Sequence, residues 1–203
     1  MHKLPLLGAI AALLVANPAL AQVTGPVSAT SPGGTISVEL GTEGDGRAVY
    51  SVSRKGKTII APSRLGFLFT DVAKIDRRLE ITGTETRDFD GTWSQPWGEW
   101  SSIRNHYREL KVHLRETTAL ARVFTVTFRI YDDGVGFRYE FPQQPNMAKT
   151  NIAEELTEFA FAQDGTAWWK PAFLWNREEY LYNKTALSSV AVADTPATIC
   201  TGE

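Results

Sequence analysis

Phe124-Thr125-Val126-Thr127-Phe128-Arg129-Ile130-Tyr131-Asp132-Asp133-Gly134-Val135-Gly136-Phe137-Arg138-Tyr139-Glu140-Phe141 reads as two strands folded back on each other. Phe124, Val126, Phe128 and Ile130 alternate with Thr125, Thr127 and Arg129; Val135, Phe137, Tyr139 and Phe141 alternate with Gly136, Arg138 and Glu140. Side chains of a strand point to opposite faces at a period of two, so each half offers one apolar face to a core and one polar face to water. Asp132-Asp133-Gly134 between them contains an Asp-Gly step, which suits the positive φ angles of tight hairpin turns. The stretch predicts an antiparallel hairpin.

The same alternation recurs on both sides. Ile36, Val38 and Leu40 alternate with Ser37 and Glu39, and Leu110, Val112 and Leu114 with Lys111, His113 and Arg115. Shorter strand candidates are 48–53, 58–61, 65–69, 79–84, 157–161 and 188–193, punctuated by Gly33-Gly34, Gly44-Asp45-Gly46 and Pro142. No helical period runs beyond two turns; 152–158 and 177–183 could each form about one turn. Many short strands separated by turn signals predict an all-β chain, a large antiparallel β-sandwich.

The N-terminus is a different kind of segment. Met1-His2-Lys3 is a short positive start, Leu4 to Ala16 is almost wholly apolar, and Ala19-Leu20-Ala21 supplies the small–x–small pattern of a cleavage site. This predicts a signal peptide over residues 1–21, cleaved before Gln22, and a periplasmic or secreted location for 22–203. The run falls short of the ~20 apolar residues of a membrane span, and no basic cluster follows it. The formal net charge of −2 offers no basic footprint for nucleic acid and no polybasic face for a membrane. Cys200 is the one cysteine, which excludes an internal disulfide.

Two tryptophan clusters stand out. Trp93, Trp97 and Trp100 surround Pro96, Gly98 and Glu99, followed by Ile103-Arg104-Asn105-His106-Tyr107-Arg108-Glu109; the region reads as a long ordered loop. Rings beside carboxylate, guanidinium and amide groups suit a sugar site, since rings stack on pyranose faces and planar polar groups bind hydroxyls. The alternative is that the indoles pin the loop to the sheet and Glu99 pairs with Arg104. Trp168 and Trp169 precede Trp175-Asn176-Arg177-Glu178-Glu179-Tyr180, whose adjacent carboxylates could ligate a hard cation such as calcium or form a solvated face. Asp88, Asp90, Thr92 and Glu99 match four positions of a calcium-loop template, but Trp93 stands where the turn glycine belongs. GxSxG, HExxH and P-loop motifs are absent, and His2, His106 and His113 are scattered.

Several segments in one order resemble the N-terminal domain of glycoside hydrolase family 97, the bacterial α-glucosidase and α-galactosidase group. They are 62–66, Trp97-Gly98-Glu99 with 103–109, 128–139, Thr157-Glu158-Phe159, 166–169, Glu179-Tyr180-Leu181-Tyr182, Leu187-Ser188 and Thr195-Pro196. The resemblance spans about Ser28 to Ile199. It implies a super-sandwich placed ahead of a (β/α)8 catalytic barrel that acts on α-linked oligosaccharides. It also implies an active-site calcium with one carboxylate ligand from this domain, which maps best to Glu179, or to Glu178 if the register is off by one. Trp97, Glu99, Arg104 and Asn105 are the candidates for the substrate rim. Calcium-dependent members of the family invert configuration and others retain it through a carboxylate nucleophile. After Thr195-Pro196 the tail Cys200-Thr201-Gly202-Glu203 departs from the family pattern, so the sandwich is expected to be truncated, the barrel absent and this fragment inactive. A stand-alone carbohydrate-binding module is the alternative reading.

Overall fold

The computed structural model describes residues 25–170, 181–190 and the backbone of 195–201. The expected signal peptide lies outside the described residues, as do Glu178 and Glu179. The strands are β1 (Val27–Thr30), β2 (Ile36–Glu43), β3 (Arg47–Arg54), β4 (Lys57–Arg64), β5 (Phe67–Phe69), β6 (Leu79–Ser94), β7 (Ser102–Glu116), β8 (Val123–Ile130), β9 (Val135–Glu140), β10 (Ile152–Glu155), β11 (Gly165–Lys170), β12 (Asn183–Ala186) and β13 (Thr195–Thr201). Among the described residues there is no α-helix, and none long and apolar enough to cross a membrane. All strand pairings are antiparallel.

Two four-stranded sheets, β1-β2-β3-β4 and β6-β7-β8-β9, enclose one core. Val38 and Leu40 of β2 and Tyr50 and Val52 of β3 join Leu110, Val112 and Leu114 of β7 and Phe124, Val126 and Phe128 of β8 in that core. The Tyr50 ring lies 6.1 Å from Phe128 and 5.3 Å from Phe137, so it bridges the two sheets. Each fully buried Leu, Val or Phe contributes about 1.5–3 kcal/mol relative to exposure, which is what holds the layers face to face. The β10-β5 pair closes one end, where Phe67 meets Tyr139 at 4.6 Å and Phe141 at 5.2 Å. A further sheet runs β12-β11-β13.

The sandwich and its central hairpin agree with the sequence, while several details differ. β8 and β9 are joined through Tyr131–Gly134, with Tyr131 N donating to Gly134 O at 2.8 Å. Gly134 does not adopt positive φ; the two-residue hairpin with positive φ at both positions is Lys55-Gly56 (50° and 79°), between β3 and β4. The expected loop from Trp93 to Glu109 is mostly strand, because β6 reaches Ser94 and β7 starts at Ser102. The stretch 152–158 gives strand β10 rather than a helical turn. Residues 157–161 form no strand; they line β4 through the Ile60–Phe161 bridge and the Ala61 N to Ala160 O bond. Leu187–Ser189 is a short 3-10 turn, and 191–193 lie outside the described residues.

Candidate functional site

β6 and β7 pair from Leu79–Glu116 out to Ser94–Ser102, whereas β8 pairs only with Arg108–Arg115 of β7. Beyond Arg108 the two strands therefore continue as a ribbon with no third strand on the β7 side. Its alternating side chains give it two unlike faces.

One face is ionic. Arg108 Nε donates to Asp88 Oδ1 at 2.6 Å and its Nη2 to Asp88 Oδ2 at 2.8 Å; Arg104 makes the same fork to Asp90 at 2.8 and 2.7 Å. These hydrogen bonds hold both carboxyls below the usual carboxylate range and raise both guanidiniums. Arg104 is thus committed to Asp90, not to Glu99, and Asp88 and Asp90 are paired strand residues rather than parts of a cation loop. The other face is aromatic. Phe89 stacks on Tyr107 at 5.2 Å, Tyr107 meets Tyr131 at 5.3 Å, and the Arg129 guanidinium lies 4.8 Å over the Tyr107 ring. Asn105 Oδ1 accepts from the Tyr131 hydroxyl at 3.1 Å, so this rim candidate is a brace between β7 and the β8–β9 turn. Gly91 permits the fold: a Cβ there would come within 2.9 Å of the Phe89 ring. Next along this face, the nearly buried Glu109 carboxylate joins Arg87 (3.2 Å) and Arg129 (3.1 Å).

The turn that closes the ribbon carries the remaining candidates. Gln95 N donates to Ser101 O at 3.2 Å, and its side-chain Nε2 donates to Trp100 O at 2.9 Å. Gly98 takes φ +101°, a conformation that strains any other residue. Trp97 is 79% exposed, Trp100 70% and Trp93 49%. Neither Trp97 nor Glu99 has a side-chain partner among the described residues. The structure therefore groups Trp97 and Glu99 at the tip and separates them from Arg104 and Asn105, which lie on opposite faces of the ribbon. Gln95 and Trp100 belong with the tip; the nearby Pro96 and Gly98 were the only sequence signal that a side chain would be needed to clasp this turn.

Elsewhere, a cleft of about 360 Å³ is lined by Arg47, Arg64, Glu154, Glu155, Thr157 and Glu158. Several of its polar groups are already paired: Arg64 Nε donates to Glu158 Oε1 at 2.8 Å, and Thr157 Oγ1 contacts both Tyr139 Oη (2.5 Å) and Glu155 Oε1 (2.6 Å). Among the described residues no group of three or more His, Cys, Asp or Glu side chains could hold a metal ion.

The architecture is that of an all-β sandwich with an aromatic-tipped ribbon. Residues 29–203 match the family model described as "Glycosyl-hydrolase 97 N-terminal", and the chain belongs to that family. A "Probable retaining alpha-galactosidase" of Streptomyces bingchenggensis (strain BCW-1) is 31% identical over 161 residues, covering 77% of this chain and 24% of the relative. A glycoside hydrolase family 97 enzyme of Pseudoalteromonas sp. strain K8, solved as an E480Q variant in complex with panose, superposes with a TM-score of 0.74 at 38% identity, covering 78% of this chain and 24% of that one. The same enzyme in complex with acarbose gives the same values. The chain spans about a quarter of the length of these relatives.

Proposed function

We propose that this chain supplies the N-terminal sandwich of an exported α-glycosidase, of α-glucosidase or α-galactosidase type, and does not hydrolyse glycosides by itself. The carrying observation is family membership over 29–203 in a chain that spans only 24% of its relatives. Complexes of the Pseudoalteromonas enzyme with panose and acarbose support an α-linked oligosaccharide as the substrate of the parent enzyme.

Glycoside hydrolysis takes an acid at the leaving oxygen and a second carboxylate, base or nucleophile, at a set separation across the sugar. Many of the chain's described carboxylates are engaged otherwise: Asp88 with Arg108, Asp90 with Arg104, Glu109 with Arg87 and Arg129, Glu116 with Arg122, Glu158 with Arg64. In our reading the chain's own role is positional. The Glu179 carboxylate would give one oxygen ligand to a calcium ion, and Trp97 and Glu99 would form part of the substrate rim; the ion would supply fixed positive charge to the reaction.

Purified chain incubated with p-nitrophenyl α-glucoside and α-galactoside should release no nitrophenol above a buffer blank; turnover would overturn the reading. Calcium should bind weakly, since the ion takes six to eight oxygens and this chain offers one. A submicromolar constant by calorimetry would contradict the assignment of Glu179. Expression in a Gram-negative host should yield a periplasmic product beginning at Gln22, checked by mass spectrometry.

A further inference from the structure

We propose that the recess between residues 73–78 and the β7–β8 turn is a binding site for a small oxyanion, a carboxylate or phosphate on a short apolar body. The Arg78 guanidinium is its charge partner and the Thr118 hydroxyl its second donor. The site shares no residue with the ribbon and does not depend on the glycosidase reading above.

Lys74, Arg77, Arg78, Thr118, Ala119 and Leu120 are among the residues that line this recess of about 330 Å³. Its cations outnumber its carboxylates. Asp76 is shared by Lys74 Nζ at 2.9 Å and Arg77 Nη2 at 3.1 Å, and Arg77 also reaches Asp45 at 3.2 Å. Glu116 is held by the buried Arg122. Arg78 has no side-chain partner among the described residues, so one positive charge is left without a counter-ion. On the other wall, the Thr118 hydroxyl is buried with no hydrogen-bond partner, the one such side-chain atom among the described residues. An unpaired buried hydroxyl is costly, which favours a bound group that accepts from it.

Backbone strain gathers at the same place. Three non-glycine residues among those described have positive φ: Lys55 belongs to a hairpin, while Arg78 (56°) and Ala121 (46°) lie in the two segments that form the recess. Such conformations persist where surrounding bonds over-determine them. Arg78 N donates to Asp45 O at 2.8 Å, and Arg78 O accepts from Thr117 N at 2.7 Å. Ala121 N donates to Thr118 O at 3.0 Å. Arg122 bonds Glu116 on one wall and the carbonyls of Ala73 and Lys74 on the other. Two bonded segments of this chain therefore shape the recess, with no other surface required. Arg78 and Thr118 are fixed relative to each other before a ligand arrives, and binding loses less conformational entropy. A guanidinium and a hydroxyl suit an oxyanion, and Ala119 and Leu120 suit an apolar body beside it.

The test is titration of inorganic phosphate, and separately of butyrate, into the purified chain at constant ionic strength set with sodium chloride. Amide NMR shifts and the melting temperature are the readouts. Saturable millimolar binding of at least one anion is expected, with the melting temperature rising as the native state is occupied. Arg78→Gly removes the guanidinium and suits the positive φ, so it should leave the fold intact while weakening binding by about tenfold. Thr118→Val removes the unpaired hydroxyl; without ligand it should be as stable as wild type or more so, yet it should bind the anion more weakly. Arg54→Ala, at an exposed cation outside the recess, should bind like wild type. Lack of saturation by either anion at about 100 mM would overturn the site. Unchanged binding in Arg78→Gly or in Thr118→Val would overturn it too, as would an equal loss in Arg54→Ala.

Discussion

The Asp132 carboxylate in the β8–β9 turn accepts a hydrogen bond from Ser31 Oγ at 2.6 Å, across 101 residues of sequence. The same Oδ1 also accepts from Gly33 N at 2.8 Å, and Ser31 Oγ in turn accepts from the N–H groups of Thr35 and Ile36. One charge thereby orders the β1–β2 turn and the β8–β9 turn together, tying the ends of the two sheets.

The Ser31 hydroxyl, with Gly33 N behind it, holds the Asp132 carboxyl below the usual carboxylate range. A depressed folded-state pKa adds stability above the unfolded value, lost as pH falls through the folded one. Wild type should therefore exceed Asp132→Asn in stability at neutral pH, and the gap should close in acid below about 3.8. Denaturant melts across that range check this. Gly33→Ala should destabilise at every pH, since its Cβ would fall 2.6 Å from Asp132 Oδ2.

Burial pushes the Tyr50 hydroxyl up to about 12. A raised folded-state pKa means stability is intact below the unfolded value of 10.0 and falls as pH climbs from there toward 12. Tyr50→Phe should flatten the alkaline stability slope by up to one proton. At neutral pH it should cost about 1 kcal/mol, because the Glu158 carbonyl loses the donor that now lies 2.8 Å away. Equilibrium unfolding at neutral and alkaline pH separates the two effects.

Arg122 is wholly buried and grips Glu116 through two bonds of 2.6 and 2.8 Å, while also donating to the carbonyls of Ala73 and Lys74. Removing the guanidinium alone leaves an uncompensated buried carboxylate. Arg122→Leu should cost about 3–5 kcal/mol, and Arg122→Leu/Glu116→Leu should recover part of that loss. Urea unfolding of the two variants gives the comparison.

The exposed tip should matter little to stability. Trp97→Ala and Trp100→Ala should each shift unfolding free energy by less than ~0.5 kcal/mol, as substitutions away from packed features do. A larger loss would mean that the indoles are packing elements.

The strands with one buried face were legible because burial writes a period of two into the sequence, as in β2, β7, β8 and β9. The outer half of β6 was not. A bulge between Ile81 and Gly83 breaks the alternation that Leu79 and Ile81 begin. Past it, β6 itself is exposed almost throughout, so Asp88, Asp90 and Thr92 alternate with Phe89, Gly91 and Trp93 without a buried face of their own to read them against. A clue existed: Asp88 and Asp90 on one strand and Arg104 and Arg108 on the other have the spacing of one ionic hairpin face. Distance along the chain made Glu99 the obvious partner for Arg104, but strand parity gave it Asp90. The Ser31–Asp132 link could not be read at all, because nothing local to either turn reports on a residue a hundred positions away.

None of residues 82–109 enters the central core, so the ribbon behaves as a boom of adjustable length. Adding two residues to each strand would advance the tip by ~7 Å with its faces unchanged, whereas adding one to each would turn the ionic and aromatic faces over. Where the indoles sit and which way they look is therefore a matter of counting residues in β6 and β7, separable from whatever keeps the sandwich folded.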